Sequence, residues 1–438
     1  MNDQPLILRA RAVADDRGVI SAPGALLVRW SGGGPACEIL DAGPPEPVAR
    51  RAPAGAGRVD LGDAVVLPGL VNAHCHLDLT AVGAVPMDPA TGFAGWLGAV
   101  RRARPRDHED IRRSVLLGAE RSLAGGVVAI GDIAGDWSVD AVEALRESPL
   151  IGVSYVECFG LGTVAEDADR RLEGLIAGLT LFDRGVRLGI QPHAPYSAGL
   201  GLYARAADLA DRHDLPLATH LAESAAEREL IADGRGPMRD LLESIGGWNA
   251  GADAEFGRGA SPVEHLAHAL AGRRWLLAHC NDCTDRDLSI LSGSGAAVVY
   301  SPRSCVFFGR EAEVGPHRWR EMLDRGVTVA LGTDSAASLA IGPGEPLSVL
   351  DEAKALHARG GADPRTLLAM MTTHGARALA LPEDRFRFTP GPTAGIVAVD
   401  APRGADSLEA ILAPASRPTL VTRHGTRRWE PNGPPADH

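Results

Sequence analysis

Residues 64–76 read AVVLPGLVNAHCH, an apolar run that ends in two histidines separated by a single residue. The run is rich in valine and leucine, which is typical of a buried β-strand. In an extended segment His74 and His76 leave the same face, so both imidazoles can bind one ion. The stretch therefore predicts the first strand of the fold and, at its carboxyl end, part of a metal site.

Seven further apolar runs follow and alternate with segments of helical period. They occupy residues 127–132, 150–157, 186–194, 215–220, 274–280, 296–302 and 327–334. Eight strands that alternate with helices over about 320 residues predict an α/β fold, a closed (β/α)8 TIM barrel. In that fold the chemistry gathers at the carboxyl ends of the strands.

The two ends of the chain differ in texture from its middle. Residues 1–66 and 388–438 are rich in glycine and proline and carry short apolar runs without a helical period. This pattern is typical of short strands joined by turns. We expect both ends to form one small β-sandwich, and residues 67–387 to form a metal-dependent hydrolase barrel.

Imidazole and carboxylate side chains recur where later strands end. His220 follows LPLAT, His279 follows WLLA, and Asp334 follows VTVALGT. Because the carboxyl ends of parallel barrel strands meet at one mouth, we expect these residues to converge there. Three imidazoles from His74, His76 and His220 with one oxygen from Asp334 suit Zn²⁺, with Fe²⁺ as the second choice.

An ion in such a set lowers the pKa of its bound water toward 7. Asp334 is then expected to take the proton of that water while also coordinating the ion. Glu223 lies three residues beyond His220, so we expect it to protonate bound substrate instead. His279 is expected to hydrogen-bond the attacking water or the oxyanion. Structural alternatives remain open: a helix cap for Asp334, a first-turn acid for Glu223, and a core histidine for His279.

The chain contains a single lysine, Lys354, in the helical stretch VLDEAKALHARG after the eighth strand. Binuclear barrels of this type use a carboxylated lysine to bridge two ions, and no bridge is expected at that position. The sequence therefore favours a site with one divalent ion.

Composition excludes several classes of partner. A formal net charge of -12 without any basic block argues against nucleic acid. No apolar run approaches the length of a membrane span, and the first residues lack a signal-peptide core, so we expect a cytoplasmic protein without a membrane partner. Six cysteines show no disulfide framework, and the C-x-x-C pair Cys280 and Cys283 has no second pair, which favours free thiols. A homodimer is left open.

Four stretches resemble motifs of the amidohydrolase superfamily: LPGLVNAHCHLDLT (67–80), HLAESAAE (220–227), LAHC (277–280) and VALGTDSAAS (329–338). More narrowly, they are similar to the aminohydrolase branch of S-adenosylhomocysteine and methylthioadenosine deaminases, triazine hydrolases, guanine deaminase and aminodeoxyfutalosine deaminase. The resemblance implies that Glu223 and His279 act on substrate and water. It also implies that the ion is bound by the residues His74, His76, His220 and Asp334.

The resemblance extends to substrate contacts. It implies that Trp96 in FAGWL (93–97) and His193 in PHAPYS (192–197) lie beside the substrate, although an aromatic residue on a helix is more often part of the core. The stretch SPRSCVFFGR (301–310) resembles aminodeoxyfutalosine deaminase-like proteins, and Arg303 there can meet a substrate carboxylate or hydroxyl or lie at the barrel rim. Cys305 stands where histidine is expected, and Leu339 where asparagine often follows; both leave the substrate open.

These observations predict a metal-dependent hydrolytic deaminase of an amino-substituted heterocycle, releasing ammonia through metal-bound hydroxide. An adenine-type nucleoside such as 6-amino-6-deoxyfutalosine is the first substrate to consider. The alternatives are a chlorohydrolase or cyclic amidohydrolase on the same scaffold, or a non-catalytic scaffold. Whether the insertion at residues 246–262 is an active-site lid or a surface excursion is left open.

Overall fold

The computed structural model describes residues 4–427 apart from residues 31, 33, 179–180, 340, 343, 403–406 and 424. The amino-terminal strands are β1 (Leu6–Ala10), β2 (Ala12–Asp15), β3 (Gly18–Ser21), β4 (Gly24–Arg29), β5 (Cys37–Gly43), β6 (Gly57–Asp60) and β7 (Val65–Pro68). The central strands are β8 (Leu70–His76), β9 (Val127–Ala134), β10 (Ile151–Cys158), β11 (Phe182–Asp183), β12 (Val186–Pro192), β13 (Leu217–Leu221), β14 (Trp275–His279), β15 (Ala297–Tyr300), β16 (Thr328–Leu331) and β17 (Asp334–Ser335). The last strands are β18 (Gly391–Thr393), β19 (Ile396–Asp400), β20 (Arg417–Thr422) and β21 (Gly425–Arg427).

Helices separate and flank these strands. They are α1 (Pro45–Arg51), α2 (Gly92–Ala103), α3 (His108–Ala124), α4 (Asp140–Arg146), α5 (Ala165–Gly178), α6 (Leu200–His213), α7 (Ala225–Asp233), α8 (Pro237–Ser244), α9 (Ala250–Glu255), α10 (Pro262–Leu270), α11 (Asp285–Ser294), α12 (Pro302–Phe307), α13 (Arg310–Val314), α14 (Trp319–Asp324), α15 (Val349–Gly360), α16 (Pro364–Met371), α17 (Thr373–Ala378) and α18 (Ser407–Ile411). Short 3-10 turns lie at Leu77–Leu79, Gly162–Val164, Ala336–Ser338 and Glu383–Phe386.

The two chain ends form one small sandwich of two sheets, as the sequence predicts. One sheet has the order β18-β5-β4-β1-β6 and the other β21-β20-β19-β7-β2-β3, so each contains strands from both ends. Leu26 and Ile39 from the first sheet share a buried apolar cluster with Val66 and Ile396 from the second. The domain boundaries at residues 66 and 388 stay a prediction, and residues 428–438 lie outside the described part of the chain.

The middle of the chain forms the predicted barrel. Its strands follow the order β16-β15-β14-β13-β12-β10-β9-β8-β17, and neighbouring strands along this path are parallel. The eighth strand has two pieces, because β16 pairs with β15 and β17 pairs with β8. The last strand therefore closes the sheet onto the first, and all eight predicted strands are present.

The seam between first and last strands is held by side chains as well as by backbone. The Asn72 side-chain N–H donates to the Thr333 hydroxyl at 2.8 Å, and the Thr333 backbone N–H donates to the Asn72 side-chain Oδ1 at 3.0 Å. A Cβ atom at Gly332 would lie only 2.7 Å from the His74 carbonyl oxygen. The close approach of the two strands therefore requires glycine at this position.

Helix starts are set by capping side chains. The Ser224 hydroxyl accepts the Glu227 backbone N–H at the start of α7, and Ser261 forms a capping box with Glu264 at the start of α10. These caps satisfy backbone N–H groups that lack a partner within the helix. The first of them also fixes the turn that carries Glu223, which directly precedes the cap.

Two other predictions concern thiols and membrane spans. The structure shows six free cysteines, of which Cys283 is half-buried and the others are buried. No helix within the described ranges is long and apolar enough to cross a membrane.

Candidate active site

Six side chains that the sequence singles out converge at the carboxyl ends of the barrel strands. They come from four strands and one loop, and each is at least nine-tenths buried. His74 and His76 end β8, His220 lies near the end of β13, His279 ends β14, Asp334 begins β17, and Glu223 follows β13 by two residues.

Three residues at strand ends adopt a left-handed backbone conformation at the barrel mouth. Ala222, His279 and Asp334 have φ values of 51°, 76° and 56°. Such a conformation costs non-glycine residues about 1–3 kcal/mol each and persists where the surroundings impose it. Three such residues lie beside the histidine cluster, which indicates that the surrounding structure imposes this conformation to place these side chains.

Four of the side chains present donor atoms to a common space. His76 Nε2 lies 3.3 Å from His220 Nε2, and Asp334 Oδ1 lies 3.6 Å from His74 Nε2 and 3.7 Å from His76 Nε2. Ligands at about 2.1 Å from a tetrahedral ion are separated by roughly 3.4 Å. Ligand atoms of His74, His76 and His220 lie within 4.8 Å of one another, as do those of His74, His279 and Asp334, so this space fits a divalent cation.

The hydrogen bonding of the cluster supports the same assignment. Among the described residues, neither ring nitrogen of His74 has a hydrogen-bond partner, and Nδ1 of His76 has none. His74 is fully buried, and leaving a buried polar group unpaired costs about 1–3 kcal/mol. A cation coordinated by the imidazoles would satisfy Nε2 of His74, so the donor set fits a metal.

Neighbouring groups orient two of the four donors. His220 Nδ1 lies 2.9 Å from the carbonyl oxygen of His193, which accepts its N–H and leaves the Nε2 lone pair for a metal. The hydroxyls of Ser304 and Ser338 lie 2.6 and 3.0 Å from Asp334 Oδ2. Since these hydroxyls occupy Oδ2, Oδ1 is the oxygen that faces the histidines.

Burial and local charge set the protonation states that a metal site needs. Burial, with the charge of His74, lowers the pKa of His76 to about 3, and burial lowers the pKa of His220 well below its ordinary value. Although burial alone would raise it, the neighbouring imidazoles of His74 and His279 hold the pKa of Asp334 well below its ordinary value. Neutral imidazoles and an ionised carboxylate are the ligand forms of these groups.

The protonation state of Glu223 is opposite to that of Asp334. Burial raises its pKa to about 8, despite the opposing charge of Arg310, so the carboxyl carries a proton near neutral pH. Its Oε2 lies 4.0 Å from His279 Nε2, and burial lowers the pKa of His279 to about 3. A protonated carboxyl and a neutral imidazole therefore stand together beside the four donors.

The peptide that carries Glu223 is fixed from below by Glu227. The two carboxylate oxygens of Glu227 accept the backbone N–H groups of Ala222 at 2.9 Å and Glu223 at 2.7 Å. Glu227 is fully buried, so these bonds are shielded from water. The turn is therefore rigid, and Glu223 projects from a fixed backbone.

His193 lies beside the cluster, as the sequence predicts for a substrate contact. Its ring centroid is 5.0 Å from that of His220, its Nδ1 lies 2.6 Å from the Ser197 hydroxyl, and its Nε2 lies 3.5 Å from Glu157 Oε1. These contacts hold the ring at the edge of the site. Substrate binding by His193 stays a prediction.

Trp96 belongs to an apolar cluster. Its indole N–H donates to the Val85 carbonyl oxygen at 2.8 Å, and its ring packs at 4.7 Å against Phe308. The cluster also contains Phe93 and Tyr196. Trp96 is buried there, and its contact with substrate stays a prediction.

The insertion at residues 246–262 packs on this cluster. Its helix α9 contributes Ala252, and the following residue Phe256 also joins the cluster of Trp96. Trp248, from the same insertion, packs against Phe256 with ring centroids 5.8 Å apart. The insertion is therefore packed against the segment that carries Trp96.

The guanidinium of Arg303 is engaged with a buried acid. Its Nε donates to Glu352 Oε1 at 2.5 Å, and its backbone N–H donates to Glu352 Oε2 at 2.9 Å. Glu352 is fully buried and lies on α15. Arg303 thus ties α12 to α15, and the predicted substrate contact of Arg303 stays a prediction. Lys354, also on α15, donates to Asp351 and to the Ser416 carbonyl oxygen.

Sequence reasoning missed Glu157, a buried acid at the end of β10. Its Oε2 accepts a bond of 2.8 Å from Arg104, whose Nε donates to Asp78 at 2.7 Å. Although burial alone would raise it, the charges of Arg104 and His193 lower the pKa of Glu157 well below its ordinary value. The rule that found Asp334, a polar residue at the end of a barrel strand, could have found Glu157 as well.

Arg310 was missed too, and here the sequence offers little signal. It follows Gly309, whose φ of 67° turns the chain between α12 and α13, and its side chain is only 2% exposed. Its guanidinium lies 3.2 Å from Glu223 Oε1. Nothing in the local pattern distinguishes this arginine from a solvated one.

The model of the amidohydrolase family matches residues 65–425, which span the barrel and part of the sandwich. The chain therefore belongs to the amidohydrolase family, and it is a hydrolytic enzyme.

Several individual proteins are similar to this chain over most of its length. The chain is 31% identical over 356 residues to the aminodeoxyfutalosine deaminase of Deinococcus radiodurans, which covers 77% of this chain and 78% of the relative. It is 31% identical over 402 residues to a 5-methylthioadenosine/S-adenosylhomocysteine deaminase of Nitratidesulfovibrio vulgaris (strain Miyazaki F), covering 86% and 80%. The crystal structure of Helicobacter pylori aminofutalosine deaminase in complex with methylthio-coformycin superposes with a TM-score of 0.77 at 20% identity, covering 96% of this chain and 99% of that one. This last likeness supports the fold.

The site predicts one divalent ion per chain. We expect elemental analysis of protein purified without added metal to find zinc or iron near one equivalent, and His220→Ala to lose the ion on dialysis. Saturating the site at about 100 times Kd stabilises a protein by about 2.7 kcal/mol, so chelation should lower the melting temperature.

Lys354→Met is the matched control for this experiment. If the single-ion assignment is correct, this variant keeps the metal content of the wild type. Two ions per chain that depend on Lys354, or protein that folds and melts identically with and without metal, would contradict the assignment.

Proposed function

We propose that this enzyme is a metal-dependent hydrolytic deaminase that releases ammonia from an amino-substituted heterocycle. The first substrate to consider is an adenine-type nucleoside such as 6-amino-6-deoxyfutalosine. The observation that carries the proposal is Glu223, a buried carboxyl with a pKa of about 8 beside the donor set. Such a group can protonate a ring nitrogen, which the removal of an amino group from a heteroaromatic ring requires.

His74, His76, His220 and Asp334 would hold the ion. Imidazole nitrogens with one carboxylate oxygen favour Zn²⁺, and Fe²⁺ is the second choice. When bound, such an ion supplies Lewis-acid chemistry that makes a water nucleophilic near neutral pH.

Asp334 and His279 act on the attacking water. Asp334 Oδ1 is free of the two serine hydroxyls and is ionised, so it can take the proton that the water loses. His279 is neutral and 4% exposed, and it is held at the end of β14. Its ring can hydrogen-bond the water and orient it toward the substrate.

Glu223 acts on the substrate. Its carboxyl donates a proton to the ring nitrogen beside the amino-bearing carbon, which makes that carbon electrophilic. A C–O bond forms at this carbon, and the C–N bond to the amino group then breaks. The proton held by Asp334 passes to the departing nitrogen, and the second proton of the water passes to the Glu223 carboxylate, so that ammonia leaves, the ring keeps a carbonyl oxygen and both acids regain their starting states.

The names of the relatives support an adenine-type substrate. Two of them, an aminodeoxyfutalosine deaminase and a 5-methylthioadenosine/S-adenosylhomocysteine deaminase, each match about three quarters or more of this chain. We propose that His193 contacts such a nucleoside from its place beside His220. Trp96 would contact it through the apolar cluster, and Arg303 would do so through Nη2, which its Nε bond to Glu352 leaves without a partner among the described residues.

Product analysis tests the proposal. We expect the metal-loaded protein to release ammonia from at least one member of a panel of adenine nucleosides and aminopterins, with a stoichiometric shift of the ring absorbance. Chlorinated triazines and cyclic amides in the same panel test the alternatives on this scaffold. Release of chloride, or ring opening without ammonia, would replace deamination by one of them.

Replacement of the proton donor should separate chemistry from metal binding. We expect Glu223→Gln to keep the ion and lose turnover by roughly 10²–10⁴-fold, because general acid catalysis contributes about this much. The matched control is Glu229→Gln on the adjoining helix α7, where the carboxyl is one-third exposed and pairs with Arg235. Wild-type rates in the Glu223 variant would remove it as the donor.

The raised pKa of Glu223 predicts an alkaline limit of activity. The active form is protonated, so kcat/KM should be level below the pKa of about 8 and fall as the pH rises through it. The slope expected for loss of one proton is roughly tenfold per pH unit. Profiles of kcat/KM test this, and a limb that persists in the residual activity of Glu223→Gln would assign it to another group.

A further inference from the structure

Arg310 is a buried cation placed between two acids. Its guanidinium donates to Glu223 Oε1 at 3.2 Å and to Glu313 Oε2 at 2.8 Å. The same group lies 4.1 Å from the ring centre of Phe93 and 4.8 Å from that of Phe308. Two aromatic faces and two carboxyls therefore hold its planar fork in one orientation.

The contact makes the two oxygens of Glu223 unequal. Oε1 accepts the N–H of Arg310, whereas Oε2 lies 4.0 Å from His279 Nε2. An oxygen that accepts from a guanidinium keeps its lone pair directed at that donor, because guanidinium has no acceptor to receive a proton in return. When Glu223 is protonated, the proton therefore sits on Oε2, on the side of the donor set.

We propose that Arg310 is a positioning residue that occupies Oε1 of Glu223 and thereby directs its acidic Oε2–H toward the substrate. This inference rests on the proposed role of Glu223 as proton donor. It extends that role, because the backbone bonds from Glu227 fix where the residue begins but leave the carboxyl free to rotate. Arg310 supplies the restraint at the carboxyl itself.

Glu313 links Arg310 to the turn that carries Glu223. Its Oε2 accepts from Arg310, and its Oε1 accepts the backbone N–H of Ala225 at 3.2 Å. Ala225 begins α7, two residues after Glu223. Glu313 therefore fixes the position of α13 relative to the turn of Glu223. The guanidinium of Arg310 is held between Glu313 and Glu223.

Arg310 is also the cation that acts on Glu223. The charged and titratable groups that face this carboxyl are Arg310, Glu227, His279, Asp334 and Tyr196. Among them only Arg310 is positive at pH 7, and it lowers the pKa of Glu223, whereas burial and the acids raise it. Loss of Arg310 should thus move the alkaline limb of activity to higher pH.

The test compares Arg310→Met, Arg310→Lys and Glu313→Gln in the zinc-loaded enzyme. We expect Arg310→Met to lower kcat on the order of 10²-fold, the cost of a misplaced reacting group, with KM nearly unchanged. Arg310→Lys should recover part of this loss, since it keeps the charge without the fork. Glu313→Gln should shift the alkaline limb to lower pH, opposite to Arg310→Met, because it leaves Arg310 to act on Glu223 alone.

A double variant separates positioning from general structural support. In a Glu223→Gln background, Arg310→Met should cause little further loss of kcat, because its effect passes through Glu223. Arg239→Met is the matched control: Arg239 also lies over an aromatic ring, that of Trp248 at 4.6 Å, and pairs with Glu243. Equal losses from Arg310→Met in both backgrounds would overturn the proposal.

A second measurement keeps the inference separate from the proposed function. Infrared difference spectra against Glu223→Gln report the protonated carboxyl band of Glu223 without any turnover. If the wild type releases no ammonia, deamination fails, yet the band should still persist to higher pH in Arg310→Met and in milder form in Arg310→Lys. A band that titrates identically in wild type and both variants would overturn the assignment, and Arg310→Lys decides the matter if Arg310→Met does not fold.

Discussion

The structure depends on the pairing of the last barrel strand with the first. Asp334 lies opposite Cys75 and Ser335 opposite His76 in that ladder, so the acid enters the site at the level of the two histidines. Asn72 and Thr333 lock the seam, and only glycine fits at residue 332 against the His74 carbonyl. Closure of the sheet thus removes two exposed edges and, by the same contacts, brings Asp334 Oδ1 within 3.6 Å of His74 Nε2.

Two buried carboxyls at this mouth are driven to opposite protonation states. Asp334 sits among imidazoles and accepts from two hydroxyls, so it stays ionised. Burial and the charges of Asp334 and Glu227 raise the pKa of Glu223, and the charge of Arg310 only partly opposes them. Glu223 therefore stays protonated near neutral pH. A pair of acids whose surroundings separate their pKa values supplies one base and one acid to the same reaction. The deaminase chemistry that we propose uses this division, with Arg310 directing the acid.

Much of the fold could be predicted because it follows from short-range patterns of apolar residues. Apolar runs of strand length recur between helical segments, and this repetition specifies a barrel whatever the side chains at the mouth. The short strands of the two chain ends likewise pair into one sandwich. The metal-ligand candidates could be found because each directly follows such a run, as His279 follows WLLA. Glu157 obeys the same rule at the end of β10 and was overlooked, whereas Arg310 obeys no rule of spacing.

The sequence by itself therefore determined the barrel, the sandwich that the two chain ends form, and which metal-ligand candidates lie at one mouth. These features follow from strand periodicity and from the shared direction of parallel strands, which are properties of short segments. Only the tertiary structure decided which oxygen of Asp334 and which oxygen of Glu223 face the site. Those choices are made by Ser338, four residues beyond Asp334, and by Ser304 and Arg310, which come from distant segments. Contacts between distant loops depend on packing of the whole barrel, and no periodicity of the chain records them.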